Sequence, residues 1–114
     1  MPRDPRAYLW HARRAAALVV EFVADRSWAD YEVDSLLRSA VERQFEIVGE
    51  ALSQLVRHSP DLAAGVPDLP RIVAFRNLLI HGYAAIDDRL VWEVVTERTA
   101  PLLAILDELL EAGS

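Results

Sequence analysis

A chain of 114 residues with 53% hydrophobic content and only 4 glycines has the size and apolar fraction of one compact domain, residues 1–114, which excludes disordered and low-complexity classes. The absence of cysteine removes disulfides, thiolate metal sites and cysteine nucleophiles, and leaves zinc only three scattered histidines. A formal net charge of −6 is the wrong sign for a broad basic face that coats itself in nucleic acid, although a local arginine pocket stays open.

All 12 basic residues are arginine, so no lysine base or Schiff-base former exists and any cationic chemistry is guanidinium chemistry. The N-terminal "ARRAAALVVEFVAD" has the look of a signal peptide only briefly, because Glu21 and Asp25 interrupt its apolar stretch. The expectation is a cytoplasmic protein that does not engage a membrane.

Asp4-Pro5 is a helix start, with Asp as N-cap and Pro at the first helical position. Leu9, Ala12, Ala16, Val19, Val20 and Val23 then recur at helical spacing, which predicts a first helix to about Asp25. A short connection, "DRSWADYEVD", puts Trp28 and Tyr31 where they could seal one end of a bundle. Asp34 caps a long second helix toward Arg57, with Leu37, Val41, Val48, Leu52 and Leu55 as its apolar stripe. "HSPDLAAGVPDLP" has the Pro and Gly content of a loop. Ile72 to His81 returns to an apolar-rich helix that Gly82 stops. Asp87 and Asp88, as N-cap and first-turn charge, open a last helix that should kink or restart near Pro101, where proline removes a backbone donor. No β-alternation of useful length and no repeat is present. The fold expected is all-α, an antiparallel bundle of four main helices.

The chemistry-bearing residues concentrate in "RNLLIHGY", from Arg76 to Tyr83. At about 100° per residue, Arg76 falls in the same arc as Ile72, Leu79 and Ile80, while Asn77 and His81 share a neighbouring strip. A guanidinium stays charged at neutral pH and is costly to bury unpaired, so Arg76 needs a carboxylate, a partner chain or an anionic ligand. Glu50, which follows Arg43 and Glu46 along the edge of the second helix's stripe, is the candidate partner. The plain account of "IHGY" is a helix end: histidine suits the negative end of the macrodipole, and glycine is the common left-handed stop. A C-cap, however, needs no cation one and a half turns earlier on the apolar side. His11 and His58 are each isolated from other candidate ligands and are assigned to surface or helix-end positions. Trp10, Trp28 and Trp92 are assigned to packing, and no metal site can be pointed to.

"RNLLIHGY" resembles the R-x-x-x-x-H-x-Y signature of HEPN-domain proteins, in the branch of the HepT-like toxins. "VERQFEIVGEAL", "DLPRIVAFRNLLIHGY" and "DDRLVWEVVTE" resemble that branch's second, third and fourth helices, so the likeness covers most of the chain. The resemblance implies the toxin half of a toxin–antitoxin pair, acting as a dimeric, metal-independent ribonuclease without a cofactor. Its antitoxin would be a small, MntA-like nucleotidyltransferase. By the same resemblance Arg76 and His81 are catalytic, Asn77 and Tyr83 support RNA binding, and Tyr83 is the tyrosine to which the partner attaches AMP.

The residue types suit such chemistry: a base activates the 2′-hydroxyl, an acid protonates the leaving oxygen, and a cation steadies the developing charge. His81 could be the acid or the base, Arg76 would hold the phosphate through its planar fork, and Tyr83 could orient the phosphate or stack beneath a base. Two copies of the third helix meeting in a two-fold dimer would supply both imidazoles to one cleft. An adenylyl group on Tyr83 would block that cleft by charge and volume. Two other readings are a non-catalytic helical subunit that docks a nucleotidyltransferase and binds nucleotide or RNA without cleaving it, and a plain bundle in which Arg76 and Glu50 pair for stability.

Overall fold

The computed structural model describes residues 4–112, apart from the side chain of Tyr83. It is all-helical among those residues: α1 (Pro5–Val23), α2 (Trp28–Val33), α3 (Ser35–His58), α4 (Pro60–Ala63), α5 (Leu69–His81) and α6 (Asp88–Ala112), with a 3-10 turn at Tyr83–Ala85. Four of these carry the expected long segments. The two short helices, α2 and α4, occupy stretches read from the sequence as a connection and a loop. A capping box explains α2: Ser27 accepts from the Asp30 amide while Asp30 accepts from the Ser27 amide. In α4, Pro60 stands at the first helical position and supplies the preset backbone angle.

The long helices begin where the caps require. Asp4 accepts from the Arg6 amide, Asp34 from the Leu37 amide, and Asp87 from the amides of Arg89 and Leu90. Asp68, at the start of α5, holds a left-handed backbone at φ 58°, a conformation aspartate tolerates. Gly82 ends α5 at φ −101°, so the expected left-handed stop is not what forms. Space is the reason for glycine there: a Cβ at position 82 would lie 2.7 Å from the Leu78 carbonyl oxygen. The last helix runs through Pro101 without restarting. Proline at 101 leaves the Glu97 carbonyl without its usual intrahelical donor, and both residues are exposed to water.

Helix α3 lies between α1 and α5, and α6 packs along α1. Arg6 donates to the Leu110 carbonyl at 2.6 Å and Arg13 pairs with Asp107 at 2.7 Å, so the start of α1 lies beside the end of α6 and the two run in opposite directions. The core forms two clusters. One joins Leu9, Ala12 and Ala16 of α1 to Val48, Leu52 and Leu55 of α3 and Leu102 and Leu106 of α6. The other gathers Val19, Leu37, Val41, Phe45, Leu79, Val91 and Val95 around Tyr31. Tyr31 is buried against Trp28 and Trp92, at ring separations of 6.1 and 5.1 Å. Trp10 departs from its expected packing role: it is 49% exposed, with Arg14 over its ring.

Beside this second cluster, Arg38 pairs with Asp88 at 3.6 Å. Partial burial, then the charges of Asp88 and Glu46, push the Glu42 carboxyl above its ordinary range, against an opposing pull from Arg38. For an acid whose pKa is raised on folding, the folded state binds more protons than the unfolded one between the two values, so its contribution to stability falls as pH rises through that window. Glu42→Gln is therefore expected to raise the melting temperature at neutral pH. The gain should shrink as the pH drops into the carboxylate range, as a pH series of thermal melts would show.

Candidate active site

Arg76 is built into the α3–α5 contact by a residue that the sequence reading passed over. A Cβ at Gly49 would overlap the Cβ of Arg76 and lie 2.5 Å from its Cγ. Glycine at 49 thus makes room for the arginine stem, and Glu50, the next residue, receives its head. One terminal guanidinium nitrogen of Arg76 pairs with the Glu50 carboxylate, and the other donates to the Asn77 side-chain oxygen at 2.7 Å. The Arg76 side chain retains 21% exposure and that of Glu50 49%, so the pair stands at the surface rather than in a dry core. Surface pairs of this kind contribute about 0–1 kcal/mol to stability. Arg76 Nε is buried and meets no acceptor among the described residues.

The Arg76–Glu50 pair lines a groove of about 490 Å³. Its floor is a stripe of α3 at helical spacing, Arg43, Glu46, Ile47, Glu50, Ala51 and Gln54. Arg76 and Ile80 of α5 form one wall, and Tyr8 and His11 of α1 form the other. His11, expected to stand apart from other functional groups, therefore shares a groove with Arg76. The two are 65 positions apart in the chain, and only the packing of α1 and α5 on the same helix reveals the proximity. His58 is likewise engaged, stacked on Tyr8 with ring centroids 5.4 Å apart.

His81 is exposed in the last turn of α5 and does not line this groove. It follows Asn77 by one helical turn on the same strip. The Arg76 guanidinium, which lines the groove, also donates to Asn77 on that strip. Tyr83 opens the 3-10 turn that follows; the roles expected of its side chain lie outside the described residues. Arg76 thus contacts Asn77 and Glu50 within one chain, and His81 closes the helix that carries Arg76. Among the described residues no helix is long and apolar enough to cross a membrane.

Comparison with known proteins gives this arrangement its context. Residues 12–109 match the family described as ribonuclease HepT-like. The chain belongs to this family. Among its relatives, "Putative RNase MJ1380" of Methanocaldococcus jannaschii is 36% identical over 83% of this chain and 86% of its own length. "Putative RNase TTE0752" of Caldanaerobacter subterraneus is 30% identical over 96% of both chains. "Probable ribonuclease HepT" of Thermococcus cleftensis is 31% identical over 85% of this chain and 87% of its own. No solved structure matches the chain.

Glycine-to-alanine changes inside helices ordinarily stabilise by about 1 kcal/mol. Gly49→Ala is expected to do the opposite: overpacking against Arg76 should cost about 1–3 kcal/mol and displace the guanidinium from Glu50. A lowered denaturation midpoint in urea, at an unchanged slope, would be the signature.

Proposed function

We propose that this chain is a metal-independent endoribonuclease, the toxin of a toxin–antitoxin pair, with Arg76 and His81 as its catalytic residues. The observation that carries this reading is the placement of Arg76. A permanently charged side chain is given room by Gly49, oriented by Glu50 and Asn77, and held at the edge of an open groove, in a chain of a ribonuclease family. A guanidinium fixed in this way is prepared for the planar, two-point grip on a phosphate.

In the cleavage step the 2′-oxygen gives its proton to a base and bonds to the adjacent phosphorus. The bond from phosphorus to the 5′-oxygen breaks, and an acid protonates the departing oxygen. Arg76 offsets the negative charge that builds on the phosphoryl oxygens, and His81 provides one of the two proton-transfer groups. The active form is a homodimer. Leu78, 45% exposed on α5 and one turn before His81, gives the helix that carries the site an apolar contact for a second copy, and a two-fold contact there brings two copies of His81 to one cleft.

Removing either catalytic group separates this reading from its alternatives. Arg76→Ala and His81→Ala should each lower RNA cleavage by at least about 100-fold, while Arg76→Ala shifts stability by no more than about 1 kcal/mol. Cleavage by purified His81→Ala at the parental rate rules out the assignment. RNA binding without turnover by the parent protein favours a non-catalytic partner subunit. A large fall in melting temperature for Arg76→Ala with cleavage intact makes the Glu50 pair merely structural.

Regulation falls on Tyr83, two residues beyond His81. The partner is a small nucleotidyltransferase that transfers AMP to the Tyr83 hydroxyl, placing a bulky anion where RNA phosphate must sit. Intact-mass measurement after incubation with that partner and ATP should show added adenylyl units on the parent and none on Tyr83→Phe. Labelling at Tyr8 or Tyr31 instead contradicts the assignment.

A further inference from the structure

The groove beside Arg76 contains more recognition chemistry than holding one phosphate requires. We propose that it is a nucleoside subsite, resting on the ribonuclease reading, which takes the residue flanking the scissile phosphate and prefers a base with an amino group at purine C6 or pyrimidine C4, adenine or cytosine, over one with a carbonyl there. Three observations converge on this assignment.

The first is size and lining. About 490 Å³ suits a single nucleoside, and small-molecule sites commonly begin near 300 Å³. Ile47, Ala51 and Ile80 offer an apolar bed for a planar ring, and His11 stands along one wall, beside the His58-stacked Tyr8, as an aromatic surface of the kind on which unpaired bases stack. His11 is exposed, and its ring is braced edge-on by Trp10 at 5.3 Å.

The second is polarity along the groove. Arg76 supplies a phosphate contact on the α5 wall, and Arg43, whose side chain is 71% exposed and 3.6 Å from the Glu46 carboxylate, supplies another cation on the floor. A ribose-phosphate chain passing over α3 meets both.

The third is the state of Gln54. Its amide nitrogen donates to a Glu50 carboxylate oxygen at 3.0 Å. An ionised carboxylate only accepts, so this contact fixes which way the amide is turned and leaves the Gln54 oxygen as an acceptor at the groove. Glu46 adds a second acceptor to the same floor. An acceptor-rich edge matches the amino group of adenine or cytosine and meets the carbonyl of uracil at the same position with a repulsive contact. The Arg76–Glu50 pair thus orders both halves of the site: Glu50 aims Arg76 on one side and Gln54 on the other.

The test measures binding separately from cleavage. Fluorescently labelled tetranucleotides bearing adenine, cytosine or uracil beside the central phosphodiester are titrated into catalytically disabled His81→Ala, and then into His81→Ala carrying either His11→Ala or Gln54→Leu. Steady-state cleavage of the same oligonucleotides is followed with the parent, His11→Ala and Gln54→Leu. The adenine and cytosine oligonucleotides should bind at least about fivefold more tightly than the uracil one, because a lost or mismatched polar contact costs on the order of 1 kcal/mol or more. Gln54→Leu should erase the preference. His11→Ala should raise Kd and KM about tenfold for all three with kcat retained, as loss of a stacking partner does. Equal affinity for the three oligonucleotides, or parental binding by His11→Ala, overturns the subsite. A parent protein that binds with the stated preference but never cleaves overturns the ribonuclease reading and leaves the subsite standing.

Discussion

The site depends on one steric condition, that an arginine stem must fit where α5 packs on α3. A charged side chain on the packed side of a helix needs both room and an oppositely charged partner, since burial without pairing is costly. Gly49 and Glu50 meet the two needs from adjacent positions. The glycine removes the Cβ that would strike Arg76, and the glutamate at the next position, about 100° around the helix, receives the guanidinium at the groove. Asn77 then takes the second guanidinium nitrogen. The outcome is a cation whose direction is fixed before any ligand arrives, which removes part of the ordering cost that a free arginine would incur on binding phosphate.

The acidic charge balance conflicts less with the proposed RNA groove once the arginines are located. Arg13, Arg26, Arg38, Arg89 and Arg98 are paired with Asp107, Asp34, Asp88, Glu93 and Asp68. These pairs spread positive charge over the surface, where it cannot add up to a basic face. Arg43 and Arg76 are paired as well, with Glu46 and Glu50, but these two pairs line one groove. With a net charge of −6, long-range attraction to RNA is unfavourable, so the proposed recognition rests on short-range contacts within that groove.

Much of the fold was legible because helix period and caps are local signals. Asp4, Asp34 and Asp87 accept from the first-turn amides as their positions suggested, and the stripe from Leu37 to Leu55 is buried. The Arg76–Glu50 pairing was legible too, because an arginine in an apolar arc limits its possible partners. What escaped depends on neighbours distant in sequence. Gly49 carries no signal in a linear reading, because its reason for being glycine is the Arg76 stem packed against it from α5. His11 looked isolated because its companions come from α3 and α5, and a linear reading has no means of placing α1 across a groove from α5. The helix stop at Gly82 was legible in place but not in cause: crowding by the Leu78 carbonyl, rather than a left-handed turn, requires the glycine.

The pairing that prepares Arg76 also sets the terms on which a phosphate can bind. Glu50 occupies one arm of the guanidinium, so an arriving phosphate either shares that arm or displaces the carboxylate. Displacement costs little, because the Glu50 side chain is half exposed and water readily solvates it once released. It also has a second donor at hand in the Gln54 amide. A buried partner would have held the arginine too firmly, and no partner would have left it undirected. A carboxylate at the rim of the groove orients the cation and, being solvated on release, would yield to a phosphate under the proposed function. Arg76, Glu50 and Gln54 form one run of polar contacts, so a phosphate that displaced Glu50 would alter all three.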